Sequence, residues 1–198
     1  MYINLISFLL LLVFGLIFLL KLYVLRKKYS LQANVLANRN KGRKVQLVER
    51  MVQISSATWI LVWIGEIVLV QLNIVNKFQL WNNYYVSILG LIVMTVGVMF
   101  FIVAAMTMKA SWRVGIDKSS KSKLITEGIY RYSRNPTFVG LYFIVIGIFL
   151  VYADAATCIS MLANMYAINR LVLEEEKHLK EIFGKEYDVY IKKTPRYL

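Results

Sequence analysis

Five long apolar runs leave this 198-residue chain few folds to choose from. They cover residues 3–25, 52–75, 84–108, 137–152 and 155–173. An apolar stretch of about 17–25 residues crosses a bilayer as a helix. In lipid every backbone N–H and C=O must be satisfied inside its own segment, so helices are the simplest solution. The fourth run is the shortest and is expected to begin at the proline just before it. Hydrophobic residues make up 59% of the chain and mean hydropathy is +0.57, beyond the usual range of a soluble domain. The expected fold is an all-α integral membrane protein with about five transmembrane helices and a C-terminal helical segment. It reads as a single membrane domain over 1–198, with three spanning helices in 1–108 and a loop, a helical hairpin and a tail in 109–198.

Charge sets the expected orientation. Net charge is +13. In a soluble protein that would suggest nucleic acid as a partner; here the basic residues cluster in connections between apolar runs, where they fix topology. The first connection carries Arg26, Lys27, Lys28, Arg39, Lys41, Arg43, Lys44 and Arg50 against Glu49 alone. The stretch before the fourth run carries Lys109, Arg113, Lys118, Lys121, Lys123, Arg131 and Arg134, and the tail is rich in lysine. By contrast, the second connection has only Lys77 and the fourth only Asp154. Five helices put all the basic regions on one side, which predicts the N-terminus outside and the C-terminus in the cytoplasm. The partners this implies are the lipid bilayer, with anionic headgroups drawn to the basic face, and no nucleic acid. The N-terminus lacks the pattern of a cleaved signal, so the first run is read as retained. One cysteine, Cys158, excludes an internal disulfide, and one histidine makes a multi-histidine metal centre improbable.

Two polar motifs flank the last two apolar runs. Ahead of the fourth lies Glu127-Gly128-Ile129-Tyr130-Arg131, then Arg134-Asn135-Pro136, Phe138 and Gly140. Pro136 suits the first turn of a helix and biases Asn135 away from helical geometry. That helix start offers free N–H groups to an anion, Arg134 suits a carboxylate or phosphate, and Gly140 lets a backbone or ligand come close. Tyr130 and Tyr132 are placed to stack on a base or to sit in the interfacial aromatic belt, and position alone favours the belt. Asp154 is expected to cap the fifth helix. That helix is expected to continue past the membrane to Phe183, with Gly184 as its stop.

Beyond the fifth run lies Glu174-Glu175-Glu176. Successive helical residues are about 100° apart, so at most two of the three carboxylates face one pocket. One there can hold a cationic group; the simpler reading is a solvated face with Lys177 and Lys180 as neighbours. Arg170, one turn before Glu174, can orient it or bind an anionic group of a substrate. These two are the candidate catalytic residues. His178 is expected to face solvent, and Tyr187, Tyr190 and Tyr197 to pack the tail under the bundle. Glu66, in the second run, is costly at membrane depth and is either functional or hydrogen-bonded to a neighbour. Lys21 is expected to snorkel.

Together these residues resemble the membrane methyltransferases grouped around isoprenylcysteine carboxyl methyltransferase and phosphatidylethanolamine N-methyltransferase. The matching positions are Gly128, Tyr130, Arg131, Arg134, Asn135, Pro136, Phe138 and Gly140, then Glu175, Glu176, Phe183, Gly184, Glu186, Tyr187, Tyr190, Pro195 and Arg196. Ser111-Trp112-Arg113, Gly115 and Ile116 also resemble the family's loop. The resemblance covers residues 109–198. It implies bound S-adenosylmethionine, with Leu124, Ile125, Tyr130, Arg134, Asn135, Pro136 and Gly140 on one side of the cofactor and Glu175 and Glu176 on the other. It also implies methyl transfer to a lipophilic acceptor. Asn135 stands where the isoprenylcysteine enzymes usually have histidine, and Phe138 where tyrosine is common. Two other readings compete: a nicotinamide-dependent membrane reductase of the sterol type, and a non-catalytic lipid-binding membrane protein. The first lacks a G-x-G-x-x-G fingerprint here.

Overall fold

The computed structural model describes residues 2–29, 41–72, 74, 79–113, 115–116 and 123–198. Arg39, Lys77, Lys118 and Lys121, used above to assign orientation, lie outside the described residues. Among the described residues there are six α-helices and no strand: α1 (Tyr2–Tyr29), α2 (Arg43–Gln71), α3 (Tyr84–Met108), α4 (Pro136–Tyr152), α5 (Ala155–Phe183) and α6 (Lys185–Lys193). Four of them, α1, α2, α3 and α5, are long and apolar enough to cross a membrane, and α4 adds a shorter apolar helix of 17 residues. Large apolar side chains such as Leu16, Ile54, Leu61, Ile92, Met99, Ile159 and Leu162 point outward, as a surface facing lipid requires.

Helix boundaries follow local chemistry. The Asn83 side chain accepts from the N–H groups of Tyr85 and Val86 and starts α3. Pro136 opens α4 at its first turn. Asp154 and Thr157 form a reciprocal capping box at the start of α5, with Asp154 Oδ1 2.7 Å from the Thr157 nitrogen. α5 runs on to Phe183 and ends at Gly184, whose φ of 51° few other residues tolerate. α2 starts nine residues earlier than its apolar run. Its polar first turns, with Arg43, Lys44, Glu49 and Arg50, form a helical extension that packs against the base of α5 rather than a loop.

The closest helix pair is α3 with α4. Gly90 faces Gly147 and Gly97 faces Gly140, so the two backbones touch: a Cβ built on Gly97 would lie 2.6 Å from the Gly140 carbonyl oxygen. Small residues at a membrane helix crossing allow this approach, and packing at short range holds the pair together. Gly140 is therefore used by the helix crossing. Around this pair an aromatic core forms from Phe14, Trp59, Trp63, Phe101 and Trp112. Phe14 and Phe101 meet edge-on with centroids 5.1 Å apart.

Polar side chains seal the two ends. At one end the Tyr152 hydroxyl donates to Asn4 Oδ1 and shares a hydrogen bond with the Ser7 hydroxyl, Trp63 Nε1 donates to Ser7 Oγ, and Asn4 Nδ2 donates to the Ile67 carbonyl. Glu66 is buried there and hydrogen-bonds with Asp154. Because α2 begins early, Glu66 lies close to this end of the bundle rather than at mid-helix. At the other, basic end, Lys21 Nζ donates to the carbonyls of Ala105 and Lys109, closing the C-terminus of α3. The candidate site lies at this basic end.

Candidate functional site

Two stretches forty residues apart in sequence converge on one carboxylate. Glu176 is 8% exposed. Its Oε1 accepts from Arg134 Nε at 3.0 Å and Asn135 Nδ2 at 3.1 Å, and its Oε2 accepts from Arg196 Nε at 2.9 Å. Both guanidiniums add a second, salt-bridging nitrogen at 2.9 Å. The tail is stitched in as well. Arg134 Nη1 donates to the Thr194 carbonyl, the Arg134 backbone N–H to Pro195, and Asn135 Nδ2 to the Arg196 carbonyl. The 194–196 segment thus lies across the start of α4. Its hydrogen bond to Glu176 holds the Arg196 guanidinium above its usual pKa.

Beside this clamp lies a cavity of about 490 Å³, with Arg134 and Asn135 in its wall, within the range of small-molecule sites. Its mouth is polar, with Arg113, Lys123, Asn135, Glu175, His178 and Tyr187 in the wall. Farther in, the wall turns apolar, with Leu11, Phe14 and Phe18 from α1, Trp59 and Ile60 from α2, and Leu141 from α4.

Of the eleven residues proposed from the sequence as catalytic or cofactor-binding, six line the cavity: Leu124, Ile125, Tyr130, Arg134, Asn135 and Glu175. The others sit elsewhere. Pro136 begins α4, Gly140 meets Gly97, and Glu176 is held in the clamp behind the wall. Glu174 forms an ion pair with Lys44 at the start of α2, and Arg170 is half-buried outside the lining set. The helical offset separates the three glutamates by role: one toward α2, one toward the cavity, one toward the clamp. The first turn of α4 offers an anion less than expected. Pro136 has no N–H, and those of Phe138 and Val139 both donate to the Asn135 carbonyl.

Several residues gain significance only from the fold. His178, expected in solvent, is half-buried and lines the cavity, because α6 folds back beneath α5. Tyr130 is buried rather than in an interfacial belt. Its hydroxyl pairs with Thr137 Oγ1 at 3.2 Å, and its carbonyl accepts from the Tyr190 hydroxyl at 2.6 Å. Burial pushes the Tyr130 phenol well above its ordinary pKa, and pushes Tyr190 up to about 12, so both stay protonated at neutral pH. Tyr187 is 1% exposed, lines the cavity, and its hydroxyl has no hydrogen-bond partner. A buried hydroxyl is seldom left unpaired without a reason.

Glu49 is the clearest omission from the sequence reading. It is fully buried, accepts from Lys41 Nζ at 2.8 Å and from the Ile116 backbone N–H at 2.9 Å, and so ties α2 to the cavity-lining loop. Its connection reads first by its basic charges, but Val45, Val48 and Val52 recur at helical spacing around it and are the local signal of a buried face.

Comparison with known proteins identifies the family of the chain. The family model "Phospholipid methyltransferase" matches residues 85–186, just over half of the chain. A probable protein-S-isoprenylcysteine O-methyltransferase of Oryza sativa subsp. indica is 25% identical over 119 residues, covering 59% of this chain and 62% of the relative. The protein-S-isoprenylcysteine O-methyltransferase of Xenopus laevis is 29% identical over 114 residues, 56% of this chain and 40% of the relative. The chain thus spans less than two thirds of the curated relatives it matches. In three dimensions it is similar to the eukaryotic intramembrane Ras methyltransferase ICMT (isoprenylcysteine carboxyl methyltransferase), with a TM-score of 0.52 and 19% identity, over 91% of this chain and 71% of that one. The clamp and most of the cavity mouth lie within or beside the matched segment, and this chain belongs to the phospholipid methyltransferase family.

Proposed function

We propose that this protein transfers a methyl group from S-adenosylmethionine to a lipophilic acceptor. The site lies at the basic end of the bundle, which the charge distribution assigns to the cytoplasm, with the N-terminus outside. One observation carries the reading: a single cavity joins a polar mouth, built by both motifs, to an apolar interior. A water-soluble donor and a membrane-soluble acceptor need such a shared space.

The residues present fit the donor. Its ammonium and sulfonium groups are cationic and its adenosine is rich in acceptors. Glu175 presents a carboxylate to the mouth, Tyr187 presents an unpaired hydroxyl, and Leu124, Ile125 and Tyr130 supply flat apolar surface. When bound, S-adenosylmethionine supplies an electrophilic methyl group on a sulfonium. The protein's part is to position the reactants and exclude water. Arg134 and Asn135 act here mainly by posture: their donors are engaged by Glu176 and the tail, so they hold the wall in place. His178 brings an imidazole to the same cavity. An acceptor that arrives protonated can therefore find a general base, and the acceptor need not already be ionised.

The test is a titration of purified protein with S-adenosylhomocysteine and, separately, with a reduced nicotinamide, followed by transfer of labelled methyl to a lipid extract. Saturable binding of the first alone, with label entering the lipid fraction, is expected. Nicotinamide binding alone would support the reductase reading. Binding of neither would support a non-catalytic lipid-binding protein.

A further inference from the structure

Helix α1 lies outside the family match, yet it forms much of the cavity's apolar arm. Leu11, Gly15, Phe18 and Leu19 line the arm from one side of α1, facing Val52, Ser56 and Ile60 of α2. Gly15 differs from the helix glycines of the α3–α4 crossing. A Cβ on Gly90, Gly97, Gly140 or Gly147 would collide with a neighbouring backbone, whereas a Cβ on Gly15 would meet nothing within 4 Å. Close helix packing therefore does not explain Gly15, and glycine is otherwise unfavourable in the middle of a helix. Gly65 also meets nothing, but it does not line the cavity.

We infer that Gly15 sets the length of apolar chain that the acceptor can carry, by leaving the arm open beside α1. This rests on the methyltransferase reading and specifies its acceptor as a molecule with one slender hydrocarbon chain. From Leu11 to Leu19 the helix axis advances about 12 Å. A zig-zag chain with carbon–carbon bonds near 1.5 Å advances about 1.25 Å per bond, so about ten carbons fill the arm. Phe14, Trp59 and Phe101 line its side as a packed aromatic group, with Phe14 and Trp59 centroids 6.2 Å apart and Phe14 and Phe101 centroids 5.1 Å apart.

The experiment compares Gly15→Leu with wild type and with Gly65→Leu, all in lipid nanodiscs with S-adenosylhomocysteine present. The probes are N-acetyl-S-alkylcysteines of six, eight, ten and twelve carbons, brominated at the chain end. Binding is read by quenching of tryptophan fluorescence, since Trp59 and Trp112 line the cavity. Partitioning into the disc is common to all variants and cancels in the variant-to-wild-type ratio. In Gly15→Leu the ten-carbon affinity should fall about tenfold or more, roughly two methylenes' worth of burial, while the six-carbon affinity stays within twofold. Gly15→Ala should give a smaller loss of the same kind, and Gly65→Leu should match wild type. An unchanged length profile in Gly15→Leu, an equal loss at every length, an equal shift in Gly65→Leu, or no chain binding in wild type would each overturn the inference. Binding of S-adenosylhomocysteine is titrated in parallel. Its absence from all four proteins would instead overturn the methyltransferase reading.

Discussion

Replacing Glu176 by glutamine tests whether the carboxylate clamp organises the site. Glutamine keeps the shape and one acceptor oxygen, but removes the charge that faces two guanidiniums. The two contacts are unequal. The Arg134 side chain is 8% exposed, against 41% for Arg196. Breaking a buried pair by removing one partner costs about 3–5 kcal/mol, because the remaining charge stays desolvated. A solvent-exposed pair contributes about 0–1 kcal/mol. The Arg134 contact therefore dominates, and the retained oxygen favours the low end, about 3 kcal/mol. For a chain of this size that corresponds to a fall in Tm of roughly 6–12 °C. The assay is thermal unfolding in detergent for Glu176→Gln, Arg134→Met, Arg196→Met and the two double variants. Coupling of Glu176 with Arg134 should exceed 2 kcal/mol, in the range of contacting charged networks, and coupling with Arg196 should stay near or below about 1 kcal/mol. A Glu176→Gln Tm within 1 °C of wild type, or stronger coupling to Arg196 than to Arg134, would refute the reasoning.

Three further outcomes are expected. Tyr187→Phe removes an unpaired buried hydroxyl, so the ligand-free protein should hold or gain stability while affinity for S-adenosylhomocysteine falls about two- to tenfold, the worth of one hydrogen bond; calorimetry and thermal unfolding read the opposite signs. Gly97→Ala places a Cβ 2.6 Å from the Gly140 carbonyl oxygen and 2.9 Å from the Ile144 nitrogen, so α3 and α4 must part, at a cost of about 1–3 kcal/mol, which a Tm measurement checks. Glu49→Gln keeps an oxygen for the Ile116 N–H but loses the charge facing Lys41, a buried pair with side chains 4% and 0% exposed, and should lower stability by about 3 kcal/mol; proteolysis at the 111–116 loop should accelerate with it.

The sequence made the helices legible because membrane burial is written in long composition blocks. Pro136, Asp154 and Gly184 marked boundaries correctly because each acts through its own backbone or cap. Residues whose meaning depends on a distant partner were harder. Glu49 looked like a lone acid in a basic loop, and its burial arises only when α2 extends to meet the loop at Ile116. His178 looked solvent-facing because nothing in the local pattern shows that α6 folds back beneath α5. Of the three consecutive glutamates, periodicity limited how many could share a pocket, but the choice of Glu175 for the cavity depends on where α2 and the tail pack.

The placement of charge explains why one site can be assembled from such separate pieces. In an apolar bundle, an unpaired carboxylate at a helix exit is costly, and so is an unpaired arginine at a helix entrance. Glu176 and Arg134 each lessen the other's cost only if α4 and α5 stand in one register, so their pairing fixes that register at the basic end. The capping box of Asp154 and the tight turn at Ala153 fix it at the opposite end. With both ends of the hairpin held, α6 and the 194–196 segment can close over the mouth through the Arg134, Asn135 and Glu176 contacts. The apolar arm makes no comparable demand on charge. It needs only room between α1 and α2, so its length can vary through residues such as Gly15 without disturbing the clamp. In the proposed function, recognition of the donor and selection of the acceptor would thereby fall to different helices.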